Sequence, residues 1–160
     1  MSVKTNSLIA RLVFLGLVAG CSASTAPIVQ VPQEVADAPN EIVVGNATLR
    51  LNVFPWRDFQ PGVGPTDTRL MAQFQIEVTG GSLPSGLRVE RGWLVRENEA
   101  WISVPQQEGS ASSATRVEYM SRGGPTWPVG ALVTGVLQLR DAANNLYLLR
   151  SSAQAIVRTD

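Results

Sequence analysis

Between residues 47 and 79 the chain alternates apolar and polar side chains with a period of two. Ala47, Leu49, Leu51 and Val53 alternate with Thr48, Arg50 and Asn52, and Leu70, Ala72, Phe74, Ile76 and Val78 alternate with Met71, Gln73, Gln75, Glu77 and Thr79. An extended chain turns successive side chains to opposite faces, so each stretch predicts a strand with one buried face. Gly80-Gly81-Ser82-Leu83-Pro84-Ser85-Gly86 predicts a turn. Beyond it, Leu87, Val89, Trp93 and Val95 share a face that Arg91 interrupts, and Gly92 is the expected bulge. Glu97-Asn98-Glu99 predicts a hairpin turn into a strand over 100–104, and Thr115, Val117 and Tyr119 predict a further short one. Residues 131–140 and 146–158 read as a terminal hairpin around the turn 141–145.

No helical periodicity follows residue 21. Short strands separated by Gly, Pro and Asn turns predict an all-β domain over residues 46–160, a single antiparallel β-sandwich of about seven strands. In this arrangement the chain resembles immunoglobulin-like or fibronectin-type-III-like modules. That resemblance implies Trp93 as an inter-sheet core residue, and it lacks the inter-sheet cysteine pair of antibody domains.

The first 45 residues follow a different logic. Lys4 and Arg11 flank the start of an apolar run, Leu12-Val13-Phe14-Leu15-Gly16-Leu17-Val18, and the small residues Ala19-Gly20 close it. Charge, apolar run and small residues come in the order of an export signal. The run is about half of the ~20 residues a membrane-spanning helix requires. Val18-Ala19-Gly20-Cys21 resembles the bacterial lipoprotein lipobox. The resemblance implies that residues 1–20 are a signal peptide and that Cys21 is lipidated with thioether and amide acyl chains. Several chains on one residue make membrane attachment stable. The competing reading is an ordinary secretory signal with Cys21 at the cut. The resemblance further implies the bacterial cell envelope, and, because Ser22 rather than Asp follows the cysteine, the outer membrane where the host has two. Residues 21–45, with Pro27, Pro32 and Pro39, read as the lipidated cysteine followed by a flexible linker.

Composition restricts the chemistry. The chain has no histidine, which removes Ser-His and Cys-His pairs and His-ligated metal sites, and its only cysteine leaves no disulfide. Removing Lys4 and Arg11 with the signal leaves 11 arginines against 13 acidic residues, which is no nucleic-acid surface. Gly80-Gly81-Ser82-Leu83-Pro84 fails the nucleophile elbow at its last position, and Gly62-Val63-Gly64-Pro65 fits no phosphate loop. No catalytic residue, metal or cofactor is expected.

The candidate binding surface lies in two connections. Residues 54–65 place Phe54, Trp56, Arg57 and Phe59 in a stretch too proline-rich to be a strand, and Arg122-Gly123-Gly124-Pro125-Thr126-Trp127-Pro128 repeats the chemistry. Trp and Arg dominate the energetics of recognition surfaces, which singles out Trp56, Arg57, Phe59, Arg122 and Trp127. Trp56 and Trp127 turned inward to cap the core is the opposing reading. Whether the two loops share an end is open at this stage.

The expected function is an envelope-anchored, non-catalytic binding or assembly module with a protein or cell-wall partner. A small envelope hydrolase using carboxylates alone, with Glu97, Glu99, Asp67 or Asp141, is the alternative from another class. A structural surface protein is the third.

Overall fold

A computed structural model describes residues 27–60, 68–108, 113 and 115–160. The expected signal peptide, Cys21, the start of the expected linker, Asp67 and the turn at 62–65 lie outside the described residues. The fold is all-β. In chain order the elements are β1 (Ile28–Gln30), α1 (Gln33–Ala36), β2 (Glu41–Val44), β3 (Ala47–Asp58), β4 (Leu70–Gly80), β5 (Arg88–Arg96), β6 (Glu99–Ser103), β7 (Gln106–Gln107), β8 (Arg116–Ser121), β9 (Leu132–Arg140), β10 (Leu146–Ala155) and β11 (Val157–Thr159). The seven strands of five or more residues are those the alternation predicts. Of the four short ones, β1, β2 and β7 were not legible in it, and β11 is the end of the stretch 146–158 read as one strand, which the structure divides into β10 and β11.

The strands form one path, β1-β6-β5-β9-β10-β3-β4-β8-β7, with β2 and β11 also pairing to β3. The sheet is mixed, which corrects the expected antiparallel arrangement: β10 and β11 both run parallel to β3. A register shift between Arg150 and Ala153 frees β10 from its hairpin partner, and Ser151 then reaches Leu51 of β3. The buried Ser151 hydroxyl is satisfied on both sides, accepting from Gly135 N at 2.9 Å and donating to the Ser152 carbonyl at 2.8 Å.

The path curls so that β9 faces β3 and β4 across a shared core. Gly135 shows how closely: a Cβ there would lie 2.9 Å from the Val53 Cβ and 3.2 Å from the Phe74 ring. Leu49, Leu51, Val53, Phe74, Ile76, Leu94, Leu137 and Leu149 fill this space, the inward parity of their strands. Trp93 has the opposite parity. It is buried on the outer face of β5 with Val35, Ala38, Ala100 and Val136, beneath α1, rather than in the inter-sheet core expected for it. The bulge in β5 falls between Val89 and Arg91, not at Gly92, whose bare Cα instead admits Pro105.

Residues 28–45 are part of the fold, which corrects the expected linker over 21–45. β1 pairs with β6, β2 pairs with β3, and α1 sets Val35 onto Trp93. The prolines permit this because they keep their carbonyls: Pro27 O accepts from Ile102 N at 3.3 Å and Pro39 O from Arg150 N at 2.8 Å. Arg150 also donates from Nη1 to the Ala36 carbonyl, tying down the end of α1. Among the described residues no helix is long and apolar enough to cross a membrane.

Candidate interaction surface

The first correction at the site concerns its backbone. β3 continues through Pro55 to Asp58, so Trp56 and Arg57 are strand residues and not loop residues. Pro55 lies between Leu51 and Trp56, where β3 changes neighbour from β10 to β11. A missing amide hydrogen is best tolerated at such a break in a ladder.

Strand parity then separates the two side chains. Arg57 turns to the loop end, where its guanidinium donates from Nε to Thr68 O at 2.6 Å, from Nη2 to Thr68 Oγ1 at 3.0 Å and from Nη1 to Trp127 O at 3.2 Å. Gly124 N donates to Leu70 O at 2.8 Å and Leu70 N to Pro125 O at 3.3 Å. The connections after β3 and after β8 therefore meet at one end of the sheet. Arg57 acts there as a joint, held by three hydrogen bonds.

Trp127 is 5% exposed, with the Arg96 guanidinium 5.0 Å from its ring centroid, so it caps the core and is not a contact residue. Phe59 lies between two guanidiniums, Arg57 at 5.0 Å and Arg158 at 4.6 Å from its ring. Its amide donates to the Thr159 carbonyl of β11 at 2.8 Å. Arg122 is exposed and pairs with Glu108 at 2.7 Å, a surface pair of small energetic weight.

Trp56 has the outward parity and is half-buried. Directly opposite it stand Met71 on β4 and Val157 on β11, and one pleat along β3 is Phe54, in line with Gln73 and then Met120 of β8. Phe54 is 51% exposed and Val157 53%. Phe54, Trp56, Met71, Met120 and Val157 thus occupy neighbouring outward positions of β11, β3, β4 and β8. Beside them Glu118 accepts from Gln73 at 2.8 Å and Gln75 at 3.3 Å and pairs with Arg116 at 3.3 Å, a fully engaged carboxylate. Sequence reasoning missed Met71, Met120 and Val157. Continuing the period through Pro55 would have exposed the signal for Phe54 and Trp56.

A cleft of about 680 Å³ opens around the corner from this patch, lined among others by Pro27, Arg69, Val104, Met120 and Arg122. Ser103 and Ser121 bridge its floor, hydroxyl to hydroxyl, at 2.7 Å.

The carboxylates are dispersed. Glu97 sits in the tight β5–β6 turn with φ of 53°, and Glu99 pairs with Arg96 at 3.1 Å. Asp141 lies beyond the other end of the β5·β9 ladder, which runs from Val95↔Thr134 to Arg88↔Arg140 and spans about 20 Å. Glycosidase pairs need roughly 5–9.5 Å, so Asp141 forms no such pair with Glu97 or Glu99. Asp141 organises its own turn, accepting from Ala143 N, Asn145 N and Asn145 Nδ2 at 2.9 Å each and from Tyr147 Oη at 3.0 Å. The Asn145 side chain is the largest of the influences holding its carboxyl below the usual range. Glu90, which sequence reasoning passed over, is clasped by Arg140 and Gln138, and the Arg140 hydrogen bond lowers its pKa. Among the described residues no group of three or more His, Cys, Asp or Glu side chains is placed to hold a metal ion.

Compared with protein families, with curated proteins and with solved structures, the chain shows no match.

Proposed function

We propose that the protein is an envelope lipoprotein, tethered through acyl chains on Cys21, whose β-domain is a non-catalytic binding or assembly module for a protein or cell-wall partner. The observation that carries the binding reading is the outward patch of Phe54, Trp56, Met71, Met120 and Val157. Aromatic and Met side chains are enriched at recognition surfaces, and contiguous exposed apolar side chains on a folded domain mark a contact face. The anchoring reading is supported by the charge, apolar run and lipobox-like sequence ending at Cys21. The outer membrane is the proposed location in a host with two membranes, by the same resemblance.

With this goes a finer reading of the fold as a variant of the immunoglobulin-like sandwich. Its support is the face-to-face approach of β9 to β3 and β4 at Gly135. The variant element is the parallel addition of β10 and β11 to β3.

The test is photo-crosslinking in cells from a probe at Phe54, with a probe at Val43 as the exposed control. A defined partner captured from Phe54 and lost in Trp56→Ala supports the module. The same products from both positions would overturn it.

A further inference from the structure

We propose that the cleft face carrying Pro27, Val104 and Arg122 lies against the phospholipid headgroups of the membrane that anchors the chain. This rests on the anchor reading for Cys21, and it turns on where the tether enters the domain. Pro27 is fixed in the fold: its carbonyl accepts from Ile102 N at 3.3 Å, and it lines the cleft with Arg69, Val104, Met120 and Arg122. Six Cα steps separate Cys21 from Pro27, so the tether spans at most about 22 Å. A compact domain of about 130 residues has a radius of gyration near 14 Å and is roughly 36 Å across. The tether is therefore shorter than the domain, and Pro27 stays near the lipid surface while the far end of the sheet is held away.

The chemistry of the face fits that neighbour. Among the described residues that line the cleft are two arginines and no carboxylate; Arg122 pairs with Glu108 from outside it, and Arg69 is likewise engaged. Guanidinium groups bind phosphates in the geometry that headgroups present. Val104, which lines the cleft, is 65% exposed, and Ile28, next in the chain to Pro27, is 41% exposed. The arginine-bearing cleft thus faces its own bilayer, and the turns at Gly45-Asn46 and 141–145, which share a separate cavity, face away.

The experiment uses the full chain produced in cells and extracted with its lipid. Val104→Cys or Val43→Cys is labelled with a fluorophore, the two sites being matched at 65% and 64% exposure. Each protein is reconstituted into vesicles of phosphatidylethanolamine and phosphatidylglycerol containing a headgroup spin-labelled lipid. Quenching several-fold stronger at 104 than at 43 is expected. Equal quenching in protein that floats with the vesicles overturns the orientation alone. Protein without acyl mass that fails to float overturns the anchor and the orientation with it. Shielding of the 104 label from an aqueous quencher in native membranes but not in protein-free vesicles means that a protein covers this face, and also overturns the proposal.

Discussion

The guanidinium of Arg57 donates to the carbonyl of Trp127 at 3.2 Å across 70 positions of sequence, and two further bonds from the same group fix Thr68. This one side chain joins the two aromatic connections. Arg57→Ala leaves two backbone carbonyls of the joint without their donor, so a loss of about 1–3 kcal/mol is expected in urea unfolding. Arg57→Lys restores only part of it, because an ammonium cannot reproduce the planar fork. Unchanged midpoints in both variants would show that the joint is held by other contacts.

Trp127 and Trp56 predict opposite behaviour. Trp127 is buried under Arg96, so Trp127→Ala opens a cavity and costs about 3–5 kcal/mol. Trp56→Ala removes a half-buried outward ring and is expected to cost less than half as much. Thermal melts of the two variants separate cap from surface, and equal losses would contradict the assignment.

At Gly135 a methyl group meets Val53 and Phe74. Gly135→Ala is expected to destabilise by about 1–3 kcal/mol through overpacking. Adding Val53→Ala should recover part of the loss, a non-additive pair measured by a double-mutant cycle. Strict additivity would mean that the two halves of the sheet do not touch there.

The helix α1 is fastened by Val35 on Trp93 and by Arg150 on the Ala36 carbonyl. Val35→Asp is expected to release residues 31–39, read as faster amide exchange in that segment and a red-shifted tryptophan emission. Protection equal to wild type would show that β1 and β2 alone hold the strap.

The carboxyls of Asp141 and Glu90 are both lowered by hydrogen bonds, from Asn145 and Arg140 respectively. A lowered folded pKa means that the unfolded chain binds protons first as pH falls. Their contribution is therefore present above the unfolded values of about 4 and is lost on acidification through the lower folded values. Asp141→Asn should flatten the fall in urea midpoint between about pH 5 and pH 2. A slope identical to wild type would show that Asp141 carries no linkage.

The aromatic surface was half legible before the fold was known. Residue type pointed to Trp56, Arg57, Phe59 and Trp127, but type does not say which way a side chain turns. Parity along β3 sent Trp56 outward and Arg57 toward the loop end, and the cap formed by Trp127 depends on Arg96, which is 31 positions away. Met71, Met120 and Val157 join Trp56 and Phe54 only through strand pairing.

What the amino-acid sequence determined by itself is the set of long strands and, for β3 and β4, the inward face. A period of two is a local property of the extended chain, and Leu49, Leu51, Phe74 and Ile76 carry it without help from distant residues. The tertiary structure alone decided the partners. The short strands β1, β2 and β7 have too few residues for a pattern and exist because a neighbouring strand offers hydrogen bonds. The parallel approach of β10 and β11 to β3 follows from a bulge at Arg150/Ala153 and a buried Ser151, neither of which has a signature in alternation. Trp93 shows the same division: its strand was predictable, but its place beneath α1 required a helix of four residues that only the packed sheet stabilises.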